Sequence, residues 1–196
     1  MDKNRLEAFS DGVIAIIITI MVLELKVPES PKLEALIARW PLFFCYILSY
    51  IYIGIYWNNH HHMLKATERV NGAILWANLH LLFWLSLVPF VTRWMGEDHF
   101  GKAPTSIYGV VLLLAALAYT ILQNTIIKEH GRHSVLAAAV GKDRKGKLSV
   151  ILYIAAIPLA FLKPWIAGVI YVAIALIWLI PDRRIERLIG RAKREK

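Results

Sequence analysis

The sequence predicts an all-α integral membrane protein with six transmembrane helices and both termini in the cytoplasm. Three observations carry that expectation. Of the 196 residues, 58% are hydrophobic, and mean hydropathy is +0.52, well outside the range of a soluble domain. The apolar residues gather into six runs, roughly 6–25, 37–57, 73–93, 105–127, 148–163 and 165–181, of the order needed to cross a bilayer. Lys and Arg are divided unequally between the two sides of that layout. Lys3, Arg5, Lys65, Arg69, the basic residues from Lys128 to Lys147 and those from Arg183 to Lys196 share one side. Only Lys26, Lys32, Arg39, Arg93, Lys102 and Lys163 fall on the other. The richer side is the cytoplasmic one. The net charge of +9 therefore reflects topology and does not call for a nucleic-acid partner.

The first span is the unusual one. Its purely apolar part, Gly12 to Leu25, covers 14 residues and reaches about 21 Å, short of the ~30 Å hydrocarbon core. A full span must include Leu6 to Asp11, and with it Glu7, Ser10 and Asp11. Ionisable groups at that depth are costly and need partners, so this helix is expected inside an assembly. At 100° per residue, Ile16, Ile20 and Leu23 fall within about 60° of one another, with Thr19 and Gly12 beside them. Asp11 lies about 140° from Ile16 and Ser10 about 120°. Arg5 and Asp11 are poorly placed to pair along one helix, so each looks to neighbouring helices. The competing reading is an ordinary buried helix with a Ser/Asp start.

Pro31 and Pro41 punctuate the entry to the second span, which holds the single cysteine, Cys45. One cysteine allows no intrachain disulfide, and a packed thiol is expected. Pro89 and Pro158 are expected to kink the third and fifth spans. The fifth and sixth are joined tightly at Lys163-Pro164. No internal duplication is seen, so residues 1–181 form one transmembrane domain, followed by a basic tail over 182–196. The tail is amphipathic and suits either an anionic membrane surface or a solvated stub. A cleaved signal peptide is not expected, because Asp11 precedes the apolar run and Glu24 and Lys26 follow it without a small-residue cleavage site.

Arg5-x-x-x-Phe9-Ser10-Asp11 at the start of the first span, followed by Ile16-Ile17-x-Thr19-Ile20-Met21, closely resembles the transmembrane-protein-175 family. Its members are endosomal and lysosomal potassium channels and their prokaryotic relatives. The resemblance covers the motif and, more loosely, the whole six-helix layout. It implies a potassium-conducting pore lined by the first helix. The family's narrowest ring falls on Ile16, further apolar rings on Ile20 and Leu23, and the adjacent threonine on Thr19. Prokaryotic members carry one six-helix unit and form tetramers, whereas eukaryotic ones carry two units and form dimers. A homotetramer in a prokaryotic plasma membrane is therefore implied, with permeant potassium and no cofactor. Nor can one helix per subunit enclose a lumen without cyclic symmetry.

Other chemistry is sparse. His60-His61-His62 tempts a metal reading, but consecutive helical residues diverge by about 100° and cannot close on one ion. No His-Glu-x-x-His, Cys-x-x-Cys or nucleophile motif accompanies them, so an enzyme is not expected. Trp76, His80 and Trp84 share a face by their spacing of four. His80 is expected at about the depth of Asp11, and a buried Asp and a buried His both need partners. A polar cluster of Ser10, Asp11 and His80, with His60 or Asn58 near Arg5, is expected to pin the first helix to the second and third. The alternative leaves His80 on a backbone carbonyl and the tryptophans as packing.

No Thr-Val-Gly-Tyr-Gly filter and no Arg-rich voltage sensor is present. A pore would therefore act through an apolar constriction that gates by dewetting, with the Thr19 hydroxyl facing the ion or bonding back to the Ala15 carbonyl. A secondary cation or proton-coupled transporter is the alternative, although the paired halves and broken helices of that class are not seen.

Overall fold

The computed structural model describes residues 2–131, 134–141 and 143–179, and every regular element among them is an α-helix. In chain order these are α1 (Lys3–Leu23), α2 (Leu33–Ile37), α3 (Trp40–Lys65), α4 (Gly72–Ser86), α5 (Val88–Glu97), α6 (Lys102–His130), α7 (Val135–Val140), α8 (Arg144–Leu162) and α9 (Pro164–Leu179). Five stretches are long and apolar enough to cross a membrane: α1, α3, α4 with α5 as Gly72–Glu97, α6 and α8. The sixth apolar helix, α9, is described over 16 residues. The expected basic tail, 182–196, lies outside the described residues.

The polar entry of α1 is helical, as a full span requires. The helix starts at an Asp2 cap, whose side chain accepts the Asn4 N–H, and runs 21 residues, about 31 Å, to Leu23. Pro41 sits in the first turn of α3, where a missing N–H costs nothing. Pro89 occupies the first turn of α5, and the third span breaks at Leu87 just before it. Pro158 behaves differently, because α8 continues through it to Leu162. Lys163 is extended (φ −144°, ψ 96°), as a residue preceding proline prefers, and this separates α8 from α9.

Among the described residues the longest helix, α6, is central and packs on α4, α5, α8 and α9, while α1 lies chiefly against α3, α4 and α5. Two close approaches depend on glycine. A Cβ at Gly96 would lie 2.6 Å from the Cα of Leu42, so α5 crosses α3 nearly backbone to backbone. A Cβ at Gly109 would collide with the Tyr171 hydroxyl, which fills that space and donates to the Thr105 carbonyl at 3.0 Å. Between apolar helices in lipid, such contacts and polar side chains supply much of the adhesion. Ser49 on α3 lies between the hydroxyls of Tyr108 on α6 (2.9 Å) and Thr92 on α5 (2.7 Å). Tyr52 donates to the Tyr171 carbonyl at 2.6 Å and ties α3 to α9. Cys45 is fully buried and free.

Gly96→Ala should lower the unfolding temperature in detergent, with a loss of about 1–3 kcal/mol from overpacking against Leu42. Gly168→Ala, where an added Cβ meets open space, should be neutral or slightly stabilising through helix propensity. Equal melting temperatures for the two variants would contradict the close α3–α5 crossing.

Candidate functional site: the first helix and its anchors

The side of α1 that packs on its own subunit is Leu6, Ser10, Ile14, Ile17 and Met21, all buried. This spacing of three and four makes one continuous stripe. The opposite side is bare. Ile16 is 58% exposed, Ile20 41% and Leu23 77%, and Phe9, Gly12 and Thr19 are exposed with them. The apolar stripe found by helical angles is thus the unpartnered one. The polar Ser10 faces inward.

Ser10 turns inward because buried donors and acceptors must pair, and its partners come from two other helices. The amide nitrogen of Asn78, on α4, donates to Ser10 Oγ at 2.9 Å. The amide oxygen of Asn78 lies 2.7 Å from His60 Nε2, on α3. Ser10 donates in turn to the Leu6 carbonyl at 2.8 Å. All three side chains are buried. Because Asn78 Oδ1 can only accept, His60 carries its proton on Nε2. Its Nδ1 is left without a partner among the described residues. A directed chain His60 to Asn78 to Ser10 to Leu6 therefore ties α3, α4 and α1 at one level.

A second set of contacts runs along the surface of the same pair of helices. Lys3 donates to the Lys65 carbonyl at 3.0 Å. Glu7 faces His61 Nδ1 at 3.1 Å. Asp11 accepts from the indole N–H of Trp57 at 3.0 Å. Trp57 stacks on His61, with ring centroids 6.3 Å apart. Residues 3, 7 and 11 are each four apart on α1, and 65, 61 and 57 are four apart on α3. These are the same-face positions of two antiparallel helices. The pattern was readable in the sequence once α1 and α3 were known to be antiparallel neighbours.

The expected cluster is therefore assembled differently from its sequence reading. Ser10 and His60 belong to one network, and Asp11 pairs with Trp57. His80 does not join them. It is exposed and accepts the Trp84 indole N–H at 2.9 Å on the shared face with Trp76. That face points away from α1. The residue that takes its place is Asn78, two positions earlier and about 200° round the helix. Its signal was an isolated amide within an apolar run, outweighed by the titratable histidine nearby. Arg5 is exposed and has no ion-pair partner among the described residues, and Asn58 is half-buried outside the network. The histidine triplet diverges, with His60 turned to Asn78 and His61 to Glu7. Thr19 bonds back to the Ile16 carbonyl at 2.9 Å, one residue from the expected Ala15.

Comparisons with known proteins bear on the same segment and on the whole chain. A family model described as the endosomal/lysosomal potassium channel TMEM175 matches residues 5–89. A potassium channel of Chryseobacterium sp. (strain P1-3) is 56% identical over 187 residues, covering 95% of this chain and 97% of that one. A potassium channel of Chamaesiphon minutus is 30% identical over 188 residues, covering 87% and 91%. The fold is similar to the crystal structure of a lysosomal potassium-selective channel TMEM175 homolog from Chamaesiphon minutus. There the TM-score is 0.80, with 28% identity and coverage of 92% and 97%.

Asn78→Leu should destabilise the protein by about 1–3 kcal/mol, because it strands the buried Ser10 and His60 groups. His80→Ala should change the unfolding midpoint by less than about 0.5 kcal/mol, because it removes an exposed contact. Thermal unfolding in detergent checks both, and a larger loss at His80 than at Asn78 would refute the assignment of the anchor.

Proposed function

The chain belongs to the TMEM175 family, and from that membership we propose that it is the subunit of a potassium channel whose conduction path is bounded by the bare face of α1. The observation that supports the path is the two-sidedness of this helix. One side is tied to its own subunit by polar contacts that fix its rotation. The other offers Ile16, Ile20 and Leu23 to something outside the subunit.

Four copies around an axis would stack these residues into three apolar collars, with Thr19 beside them. Six spans per subunit over 1–181, both termini in the cytoplasm and a bacterial plasma membrane complete the reading. The crowding of Lys3 and Lys65 at one end of the α1–α3 pair supports that orientation, as does the excess of Lys and Arg in the loops assigned to that side.

The physics of the collar is that of a narrow apolar constriction. Water leaves such a space when the side chains approach, and the path is then closed without any plug. In a wider state a cation passes with much of its hydration shell removed. A ring of isoleucines does not by itself specify an ion; the preference for potassium follows from family membership and agrees with potassium giving up water at lower cost than sodium. Ile16, nearest the midpoint of α1, is assigned the narrowest ring, and Ile20 and Leu23 the outer ones.

Reconstituted into liposomes, the protein should give unitary currents and potassium flux down its gradient. Saturable coupled flux without unitary steps would identify a transporter instead. Ile16→Asn should keep the dewetted gap hydrated, raising conductance and moving the bi-ionic potassium/sodium reversal potential toward non-selectivity. Unchanged conductance and selectivity in that variant would remove Ile16 from the constriction.

A further inference from the structure

The inner half of α1 is fastened by four polar contacts, and its outer end carries one ionic cluster that the reading above does not use. Glu24 follows Leu23 directly and caps α1. Its carboxylate accepts from Arg93 Nη1 of α5. Arg93 is oriented from its other side, where Nε donates to Glu97 at 2.9 Å, one turn further along α5. Both members of the Glu24–Arg93 pair are about a third exposed. An open groove of about 540 Å³ lies beside them, lined by Ile20, Glu24, Ser86, Pro89, Phe90 and Arg93 among others. Ile20 belongs to α1 and Glu24 is its C-cap, and the rest of that set belongs to α4 and α5.

Three consequences follow from this placement. Glu24 sits about 100° round the helix from Leu23, at the angle of buried Leu6 and Ile17, so the pull of Arg93 acts on the packing side and draws the end of α1 toward the subunit body. Met21 packs α1 on its own subunit at this level, and beyond it, where the groove opens beside Glu24, the ionic contact is what ties the end of the helix to α5. Two carboxylates hold one guanidinium by different nitrogens, and this fixes the direction of the fork.

We propose that the Glu24–Arg93–Glu97 clamp is the outer latch of the pore helix: it holds the Leu23 collar back from the channel axis and so sets the probability that the path is open. Arg93 is a positioning residue that acts through α1. The proposal rests on the assignment of the bare α1 face to the conduction path, but the position of α1 can be tested without current.

Nitroxide labels at Leu23→Cys and, separately, at Ala8→Cys report the two ends of the helix, in a background lacking the buried Cys45. Glu24→Gln and Arg93→Gln should each raise label mobility at 23 and leave it unchanged at 8. In planar bilayers each should lower open probability about two- to five-fold per clamp lost. The double variant should be no worse than Arg93→Gln alone. Mobility at 23 that stays fixed overturns the latch, as does mobility that rises equally at 8. So does additive loss in the double variant, or an open probability that stays the same while position 23 loosens. Absence of potassium current from the wild-type protein would sink the channel reading instead, and the label mobilities would still decide whether the clamp exists.

Discussion

The chain His60–Asn78–Ser10 fixes the rotation of α1, and the rest of the arrangement depends on that rotation. Each of its members is buried, and each would be costly without its partner in an apolar surrounding. Turning α1 by one residue, about 100°, would bury Asp11 where Ser10 now sits and withdraw Ser10 from Asn78. The penalty for that exchange selects a single face for packing. The other face is then exposed by the same constraint, and it is the face carrying Ile16, Ile20 and Leu23. Support for one side of the helix and freedom of the other are one physical fact.

The remaining helices make that constraint effective. Asn78 and His60 hold position only because α4 and α3 are themselves immobilised. The crossing of α5 over α3 at Gly96, the hydroxyls meeting at Ser49 and the tyrosine contacts that join α3, α6 and α9 build a frame behind α1. The antiparallel ladder Lys3–Lys65, Glu7–His61 and Asp11–Trp57 adds exposed contacts, each modest by itself, at the end where the buried chain already holds. At the outer end Ile17 and Met21 are buried against the subunit, and the Glu24–Arg93 pair lies next to an open groove.

Much of this was legible because it is local. Hydropathy located the apolar helices, the 100° step separated the Ile16–Ile20–Leu23 stripe from Ser10, and Pro89 marked the break that appears at Leu87. The motif Arg5-x-x-x-Phe9-Ser10-Asp11 pointed to the family. What failed was the choice of partner across helices. His80 attracted attention because it titrates and shares its face with Trp76 and Trp84. That face turned out to be exposed, and its histidine is satisfied by Trp84. Pro158 differs from Pro89 in leaving its helix continuous, with α8 running on through it.

By itself the sequence determined the helices, their polar and apolar faces and the need of Ser10 and Asp11 for partners, since each follows from periodicity and the cost of burying polar groups. Only the tertiary structure decided that Asn78 and Trp57 supply those partners and that Arg93 meets Glu24. Such choices depend on the rotation and axial offset of helices far apart in the chain. One residue of offset, about 1.5 Å and 100°, exchanges one neighbour for another without altering any local preference.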